Sequence, residues 1–437
     1  MSNDSFSRRD FIKTSAAAAA ATAAFGAPAG AWAAPRATIR IGLIGCGGRG
    51  KGAANDAVKG SEGIELVAMG DLQPDRLSSA RTDLAKALGP AYKVTDAHAF
   101  SGFDAYQKVI ASDVDLVILA TPPGFRPTHI KAVIEAGKHL FTEKPVAVDP
   151  VGVRSVLASA ELAAQKNLAV VAGTQRRHQI HYLETIKRVH DGAIGDIVGG
   201  QVYWNQGPLW SVDRTPEMSD MEWQIRNWLY FTWLSGDHIV EQHVHNIDVA
   251  NWVMKGHPVR AYGVGGRQTR VEQPKWGHIF DHFCVELEYA NGAKVTSMCR
   301  QQVGTRGANE ENFVGTKGFV NLGDNNQGGR IRGGMEFQRQ KLASDTSPYV
   351  LEHTDLVASI RAGKPLNELK QVAESVLTAI MAREAAYTGQ PITWEQISTS
   401  DQDLTPGPMV MGPIAMPPIP MPGVTKLSRG AFTHAKP

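Results

Sequence analysis

The stretch Thr38-Ile39-Arg40-Ile41-Gly42-Leu43-Ile44-Gly45-Cys46-Gly47-Gly48-Arg49-Gly50 decides the fold. Its first half is rich in β-branched residues and leucine, which predicts a buried strand. Its second half is G-x-G-x-x-G, placed where that strand turns into a helix. Glycines there permit a tight turn and close approach of a ligand. The unpaired amides and the dipole at the helix start suit a pyrophosphate.

Further strand-like runs at 64–69, 115–120, 138–141 and 168–172 alternate with helix-like segments such as 74–88 and 127–136. Alternation of β and α predicts a parallel, doubly wound sheet with its ligand at the carboxyl ends of the strands. The second strand ends at Asp71. A carboxylate in that place accepts from ribose hydroxyls and repels a 2′-phosphate, which favours NAD, while Arg76 leaves NADP open.

Beyond about residue 175 the texture changes to a helix over 182–191 and longer alternating stretches at 197–204, 259–267, 282–289 and 293–301. These predict a second α/β domain with a mainly antiparallel sheet, closed by an amphipathic helix over 368–387. Asn291-Gly292 predicts a two-residue hairpin that sets Cys284 opposite Cys299. That pairing falls at a hydrogen-bonded site, where a disulfide is strained, so adjacent free thiols are expected. Residues 401–437 lose periodicity and are interrupted by proline, which predicts an extended arm anchored through Met409, Met411, Met416 and Met421. The expected organisation is thus an export segment at 1–33, a nucleotide domain at 34–174, a substrate domain at 175–400 and the arm.

The 437 residues include 45 Lys plus Arg and 43 Asp plus Glu, a formal charge of +2. That balance leaves no electrostatic footprint for nucleic acid or an anionic membrane. With 43% hydrophobic residues the chain is not disordered as a whole. Ser7-Arg8-Arg9-Asp10-Phe11-Ile12-Lys13, followed by an alanine-dominated run to Ala31-Trp32-Ala33, resembles a twin-arginine export signal with cleavage near Ala33. No other apolar run reaches the roughly 18 residues of a membrane span.

Thr121-Pro122-Pro123, with His129 beyond it, follows the fourth strand, and Glu143-Lys144-Pro145 follows the fifth. Both converge on the ligand edge of the sheet. Together with the turn Gly45, Gly47, Gly48, Arg49 and Gly50, and with Ala136-Gly137-Lys138-His139, they resemble the Gfo/Idh/MocA family of glucose-fructose oxidoreductases and inositol dehydrogenases. The resemblance covers about residues 37 to 395. It implies a Rossmann domain, then an α/β domain whose large open sheet often mediates oligomers. It also implies that Asp71, Thr121, Pro122, His129 and Glu143 contact the cofactor and that Lys144 stands beside the nicotinamide.

The family's second signature, D-x-G-x-H-x-x-D, falls on Glu241-Gln242-His243-Val244-His245-Asn246-Ile247-Asp248. Glu241 and His243 depart from it, while His245 and Asp248 match. The resemblance makes Lys144 and His245 the catalytic pair, with Glu241 as a less certain partner and Asp248 structural. Arg176, Arg177, His243 and His245 are the expected substrate contacts. His178, His181, His238, Glu241, His243 and His245 are all metal-ligand types, but no H-E-x-x-H spacing occurs and no metal is expected. Trp204, Trp210, Trp223, Trp228 and Trp233 offer flat faces suited to sugar C–H surfaces.

The expected activity is hydride exchange between NAD(P) and a secondary hydroxyl or keto carbon of a sugar or cyclitol, in an exported, periplasmic enzyme. Free NAD is not expected outside the cytoplasm, so a non-dissociating cofactor, loaded before export, is expected. The same residues allow an NAD-dependent glycoside hydrolase of the α-N-acetylgalactosaminidase type, acting by transient C3 oxidation and elimination with His243 as an added acid or base. They also allow a cofactor-loaded sugar-binding protein without turnover. A carbohydrate, the twin-arginine machinery and a second copy of the chain are the expected partners.

Overall fold

The computed structural model describes residues 38–271, 275–323, 328–340 and 342–427. The export segment, its expected cleavage site and the end of the arm lie outside them. The first layer is a parallel sheet of β1 (Ile39–Ile44), β2 (Ile64–Asp71), β3 (Ala99–Ser101), β4 (Leu116–Leu119), β5 (His139–Thr142) and β6 (Val170–Ala172). Its order is β3-β2-β1-β4-β5-β6. The direction of winding reverses between β1 and β4, which opens a crevice beside the glycine turn. β1 and β4 are buried along nearly their whole length, as a sheet covered on both faces requires.

Helix Gly48–Gly60 starts on the glycine turn. A Cβ at Gly50 would lie 1.9 Å from Gly45 O, so only glycine lets this helix pack so close to the end of β1. The chain returns to this layer much later. Helix Pro348–Arg361 packs on helix Gly48–Gly60 and adds Leu356 and Val357 to the same core. Residues 366–368 then bond to the β6 edge, with Val170 N donating to Leu366 O at 2.7 Å and Glu368 N to Val170 O at 3.0 Å.

The second sheet contains β7 (Ile197–Gln206), β8 (Arg260–Gly266), β9 (His282–Glu288), β10 (Lys294–Gln301), β11 (Ala308–Gly315), β12 (Gly318–Asn321), β13 (Gly328–Gly333), β14 (Phe337–Gln340) and β15 (Ile392–Thr393). Its order is β14-β13-β12-β11-β7-β10-β9-β8-β15, and among these pairs only β7–β10 is parallel. Burial alternates along β9 and β10, and the inner residues Phe283, Val285, Leu287 and Val295 join the core that holds helix Leu369–Thr388. That helix is buried around nearly its whole circumference. Each fully buried Leu, Ile or Val there contributes roughly 1.5–3 kcal/mol.

The hairpin between β9 and β10 differs from expectation by one residue. Tyr289 N donates to Ala293 O and Gly292 N to Tyr289 O, both at 2.9 Å, so the loop is Ala290-Asn291-Gly292. Gly292 supplies the left-handed residue at φ +83°, and Asn291 Oδ1 accepts from Ala293 N at 3.1 Å. Cys284 therefore faces Met298, and Cys299 faces Phe283. A one-residue shift turns side chains to opposite faces, so Cys299 is in the core and Cys284 on the outer face. Both thiols are free.

The described part of the arm lies against its own chain. Leu404 N donates to Asp149 Oδ2 at 3.0 Å, Met221 N to Gly412 O at 3.1 Å and Ile414 N to Asp220 Oδ2 at 3.2 Å. Met409, Ile414 and Met416 pack on a cluster that includes Met221, Trp223, Tyr230 and Trp233.

Candidate nucleotide-binding and active site

A cleft of about 1000 Å³ opens at the carboxyl ends of β1, β2, β4 and β5 and is walled on its far side by Trp204, Glu241 and His245. Gly45 turns the chain at φ +93°, where a Cβ would lie 2.6 Å from the Ala120 carbonyl carbon. Gly47 and Gly48 face open space, and no side chain caps the helix that follows. The first amides of that helix are thus left for a ligand, an arrangement that suits an anionic pyrophosphate. Asp71 is anchored by its two oxygens, which accept from Cys46 N at 2.6 Å and Gln73 N at 2.8 Å. Burial raises its pKa, against these two donors. Each oxygen keeps a free lone pair for a ribose hydroxyl. This donor set fits an NAD-type dinucleotide.

Thr121, Pro122 and His129 line the same cleft. His129 stacks on Tyr106 at 4.1 Å and its Nδ1 meets Thr121 Oγ1 at 3.3 Å. Burial, aided by the Arg126 charge, pushes its pKa down to about 3, so the ring is neutral. Arg126 was not singled out by the sequence. Its Nε donates to Thr121 O at 2.8 Å and its Nη1 to Pro145 O at 2.7 Å, fastening the loop after β4 to the loop after β5.

At the other end of the cleft, Lys144 Nζ donates to Glu241 O at 2.6 Å and to Glu241 Oε1 at 3.0 Å. His245 is 7% exposed, stacks on Trp204 at 5.6 Å, and its Nδ1 has no partner within the chain. Burial lowers its pKa well below 6.5, and the charges of Lys144, Arg176 and Arg49 act in the same direction. The imidazole is neutral. Glu143 and Arg49 line the cleft and pair with each other, the Arg49 Nε donating to Glu143 Oε1, while Arg49 Nη2 reaches Glu352 Oε1 at 3.5 Å. Behind them Glu352 is fully buried, and burial together with the Glu143 charge holds its carboxyl well above the usual range against the pull of Arg49.

Three expected substrate residues do not line the cleft. His243 is buried with Nε2 on Ser297 Oγ of β10 at 2.8 Å. Arg176 reaches into the second sheet, onto Glu311 and, at 2.7 Å, Asn309 Oδ1. Arg177 forks onto Asp248 at 2.8 and 2.9 Å, and Asp248 does not line the cleft either. In each case a buried carboxylate or hydroxyl on a distant element captures the side chain. Trp204, Trp210 and Trp228 line the cleft, whereas Trp223 and Trp233 are core residues. Among the described residues no group of three or more His, Cys, Asp or Glu converges on a metal position; His238, for example, pairs with Asp237. Gln175, Tyr349 and Thr405 also line the cleft and carried no local signal, apart from the position of Gln175 just past β6, and Met409, expected as an anchor of the arm, lines it with them. Gln175 Oε1 is buried without a partner.

Residues 39–174 match the family model described as "Oxidoreductase family, NAD-binding Rossmann fold", and residues 182–321 match "GFO/IDH/MocA C-terminal domain". Residues 5–25 match the twin-arginine translocation signal sequence, which directs export by that pathway. No helix of the described residues is long and apolar enough to cross a membrane. Inositol 2-dehydrogenase of Rhizobium meliloti (strain 1021) is 28% identical over 51% of this chain and 57% of its own. A glycosyl hydrolase family 109 protein of Shewanella amazonensis is 26% identical over 51% and 49% respectively. The match thus spans less than two thirds of either relative. Among solved structures, levoglucosan dehydrogenase in complex with NADH and levoglucosan has a TM-score of 0.65 at 17% identity, over 82% of this chain and 99% of its own. Aldose-aldose oxidoreductase from Caulobacter crescentus has a TM-score of 0.63 at 19% identity, over the same shares. With both halves of the fold and the export signal matched, the chain belongs to the Gfo/Idh/MocA oxidoreductase family.

Proposed function

We propose that the chain is a periplasmic NAD(P)-dependent oxidoreductase acting on a secondary hydroxyl or keto carbon of a neutral sugar or cyclitol, with its cofactor retained through turnover. The observation that carries this reading is the convergence of Lys144 Nζ, Glu241 and a neutral His245 on the cleft that the glycine turn and Asp71 also line. When bound, the nicotinamide supplies a hydride acceptor or donor.

The chain's own residues do the rest. The amides after Gly47 hold the pyrophosphate, and Asp71 takes the ribose hydroxyls. His245, neutral and short of one partner, receives the proton of the reacting hydroxyl. The Lys144 ammonium, aimed by the two Glu241 acceptors, donates to the oxygen as negative charge grows there. Trp204, Trp210 and Trp228 shield the site from water and face the sugar ring.

Retention follows from export, because a nucleotide lost outside the cytoplasm is not replaced. At an association rate of ~10⁶ M⁻¹s⁻¹, a residence of about a day needs a dissociation constant near 10⁻¹¹ M. The arm supports such a slow exit, since Thr405 and Met409 form part of the cleft wall.

His243, which the glycosidase reading would use as an added acid or base, lies outside the cleft, and this favours the oxidoreductase reading. One experiment tests both. The mature protein is denatured and any released nucleotide identified, and native protein is then screened against sugars, cyclitols and aryl glycosides. Bound nucleotide that changes redox state with a sugar supports the proposal. Aryl release without added cofactor replaces it with hydrolysis, and an empty protein with micromolar NAD affinity refutes the retained cycle.

A further inference from the structure

The cleft has an interdomain contact at its adenosine end that the catalytic reading does not use. Helix Asp220–Arg226, from the second half of the chain, brings Arg226 onto the loop after Asp71. Its Nη1 and Nη2 donate to the two Asp75 carboxylate oxygens, each at 3.1 Å, and Nη2 also donates to Gln73 Oε1 at 2.8 Å. Nε is taken by Glu222 Oε1 at 2.9 Å.

Gln73 is 4% exposed and lines the cleft, yet its Nε2 has no partner within the chain. A buried amide donor left unpaired is costly and rare. The backbone N of Gln73 meanwhile donates to Asp71 Oδ1 at 2.8 Å, so the amide stands next to the ribose-binding carboxylate. An amide whose oxygen is fixed by a guanidinium presents its two N–H groups away from that guanidinium. Asp71 supplies acceptors only, so a donor at its side completes the set needed by an adenosine, which carries hydroxyl donors and ring-nitrogen or ring-oxygen acceptors. The Asp75 side chain is 61% exposed, and an ion pair so open contributes little by itself. The bond to the buried Gln73 is thus the contact through which Arg226 reaches the cleft wall.

We propose that Gln73 is an adenosine-binding residue of the nucleotide site, donating from Nε2 to an acceptor of the adenosine ribose or base, and that Arg226 is its positioning residue. The second half of the chain thus helps to read the adenosine half of the cofactor. This rests on the nucleotide reading above.

The test measures how fast NADH leaves the loaded mature protein when chased with excess ADP-ribose, followed by nicotinamide fluorescence. Loss of one neutral hydrogen bond raises the dissociation rate by about 3- to 10-fold, and that is the change expected for Gln73→Leu. Gln73→Glu keeps an oxygen for Arg226, removes the donor and adds a negative charge beside Asp71, so an equal or larger rise is expected even if the leucine variant folds poorly. Arg226→Ala should raise the rate in the unmodified background and add nothing once Gln73 is leucine. A persistent Arg226→Ala effect in the Gln73→Leu background assigns Arg226 to holding the helices together and overturns its positioning role. Unchanged rates in both Gln73 variants overturn the whole proposal. Failure of the unmodified protein to bind either NADH or ADP-ribose refutes instead the nucleotide reading on which it rests.

Discussion

Replacing Lys144 by methionine removes the ammonium and little of the side-chain volume. In the structure Nζ serves two acceptors of one residue, Glu241 O at 2.6 Å and Oε1 at 3.0 Å, with 13% of the lysine side chain exposed and 12% of the glutamate. The variant leaves Glu241 short of a donor in a largely buried place, which costs about 1–3 kcal/mol of stability. A reserve of about 5–15 kcal/mol absorbs that, so the fold and the nucleotide content should persist. The chemical step loses its positioned ammonium, worth about 10²- to 10⁴-fold, or about 2.7–5.5 kcal/mol of barrier. Single-turnover reduction of the bound nucleotide, with nucleotide content measured on the same sample, separates the two effects. Glu241→Gln keeps the backbone acceptor and should lose only about tenfold in rate. A Lys144→Met protein that turns over at nearly the normal rate refutes the assigned chemistry, and one that loses nucleotide in proportion to rate makes Lys144 a binding group only.

Other outcomes follow from the same geometry. His245→Ala should slow the chemical step at least ~10²-fold without emptying the site, checked by the same single-turnover assay. Truncation after Ser400 removes Thr405 and Met409 from the cleft wall and should shorten nucleotide residence, read as nucleotide lost during dialysis; unchanged retention removes the arm from the argument. Gly45→Ala puts a Cβ 2.6 Å from backbone at φ +93° and should lower the melting temperature and abolish nucleotide binding together. Burial lowers the pKa of His178, but hydrogen bonds to Asp355 and Glu368 outweigh it and carry the pKa from 6.5 up to about 9. Because the folded value is raised, the stabilisation is fully present below pH 6.5 and fades as pH climbs through about 9. The difference in urea midpoint between the unmodified protein and His178→Gln should therefore shrink between about pH 6 and about pH 9.5, and a constant difference would contradict the charge assignment.

The parallel sheet, the glycine turn and the places of Asp71 and Lys144 on the cleft wall were legible because each is written in residues adjacent along the chain. β1 reads as a strand from six residues, and Gly45 to Gly50 specify the turn that follows. What the sequence did not reveal depends on partners far away. Arg176 and Arg177 stand where β6 ends, as expected, but Glu311 and Asp248 decide where they point. His243 is drawn to Ser297, 54 residues on. β12 and β14 are four residues long and β13 opens on Gly328-Gly329, so they gave no period to count, and β11 carries the polar run Asn309-Glu310-Glu311-Asn312. The hairpin slipped by one residue because Ala290 joins the loop rather than the strand, a choice made by Gly292 and the Asn291 side chain. Gln73 and Arg226 are 153 positions apart and meet only through the folded helix at 220–226.

The position of the arm along the chain gives the cleft a history. Residues 404–416 are synthesised after every strand of both sheets, so the walls of the nucleotide site can form while its cover is still inside the ribosome. The arm adds Thr405 and Met409 to the cleft wall last, once Leu404 has found Asp149 and Ile414 has found Asp220. For the retained cofactor proposed above, this order of synthesis would separate capture by the unfinished chain from loss by the finished one.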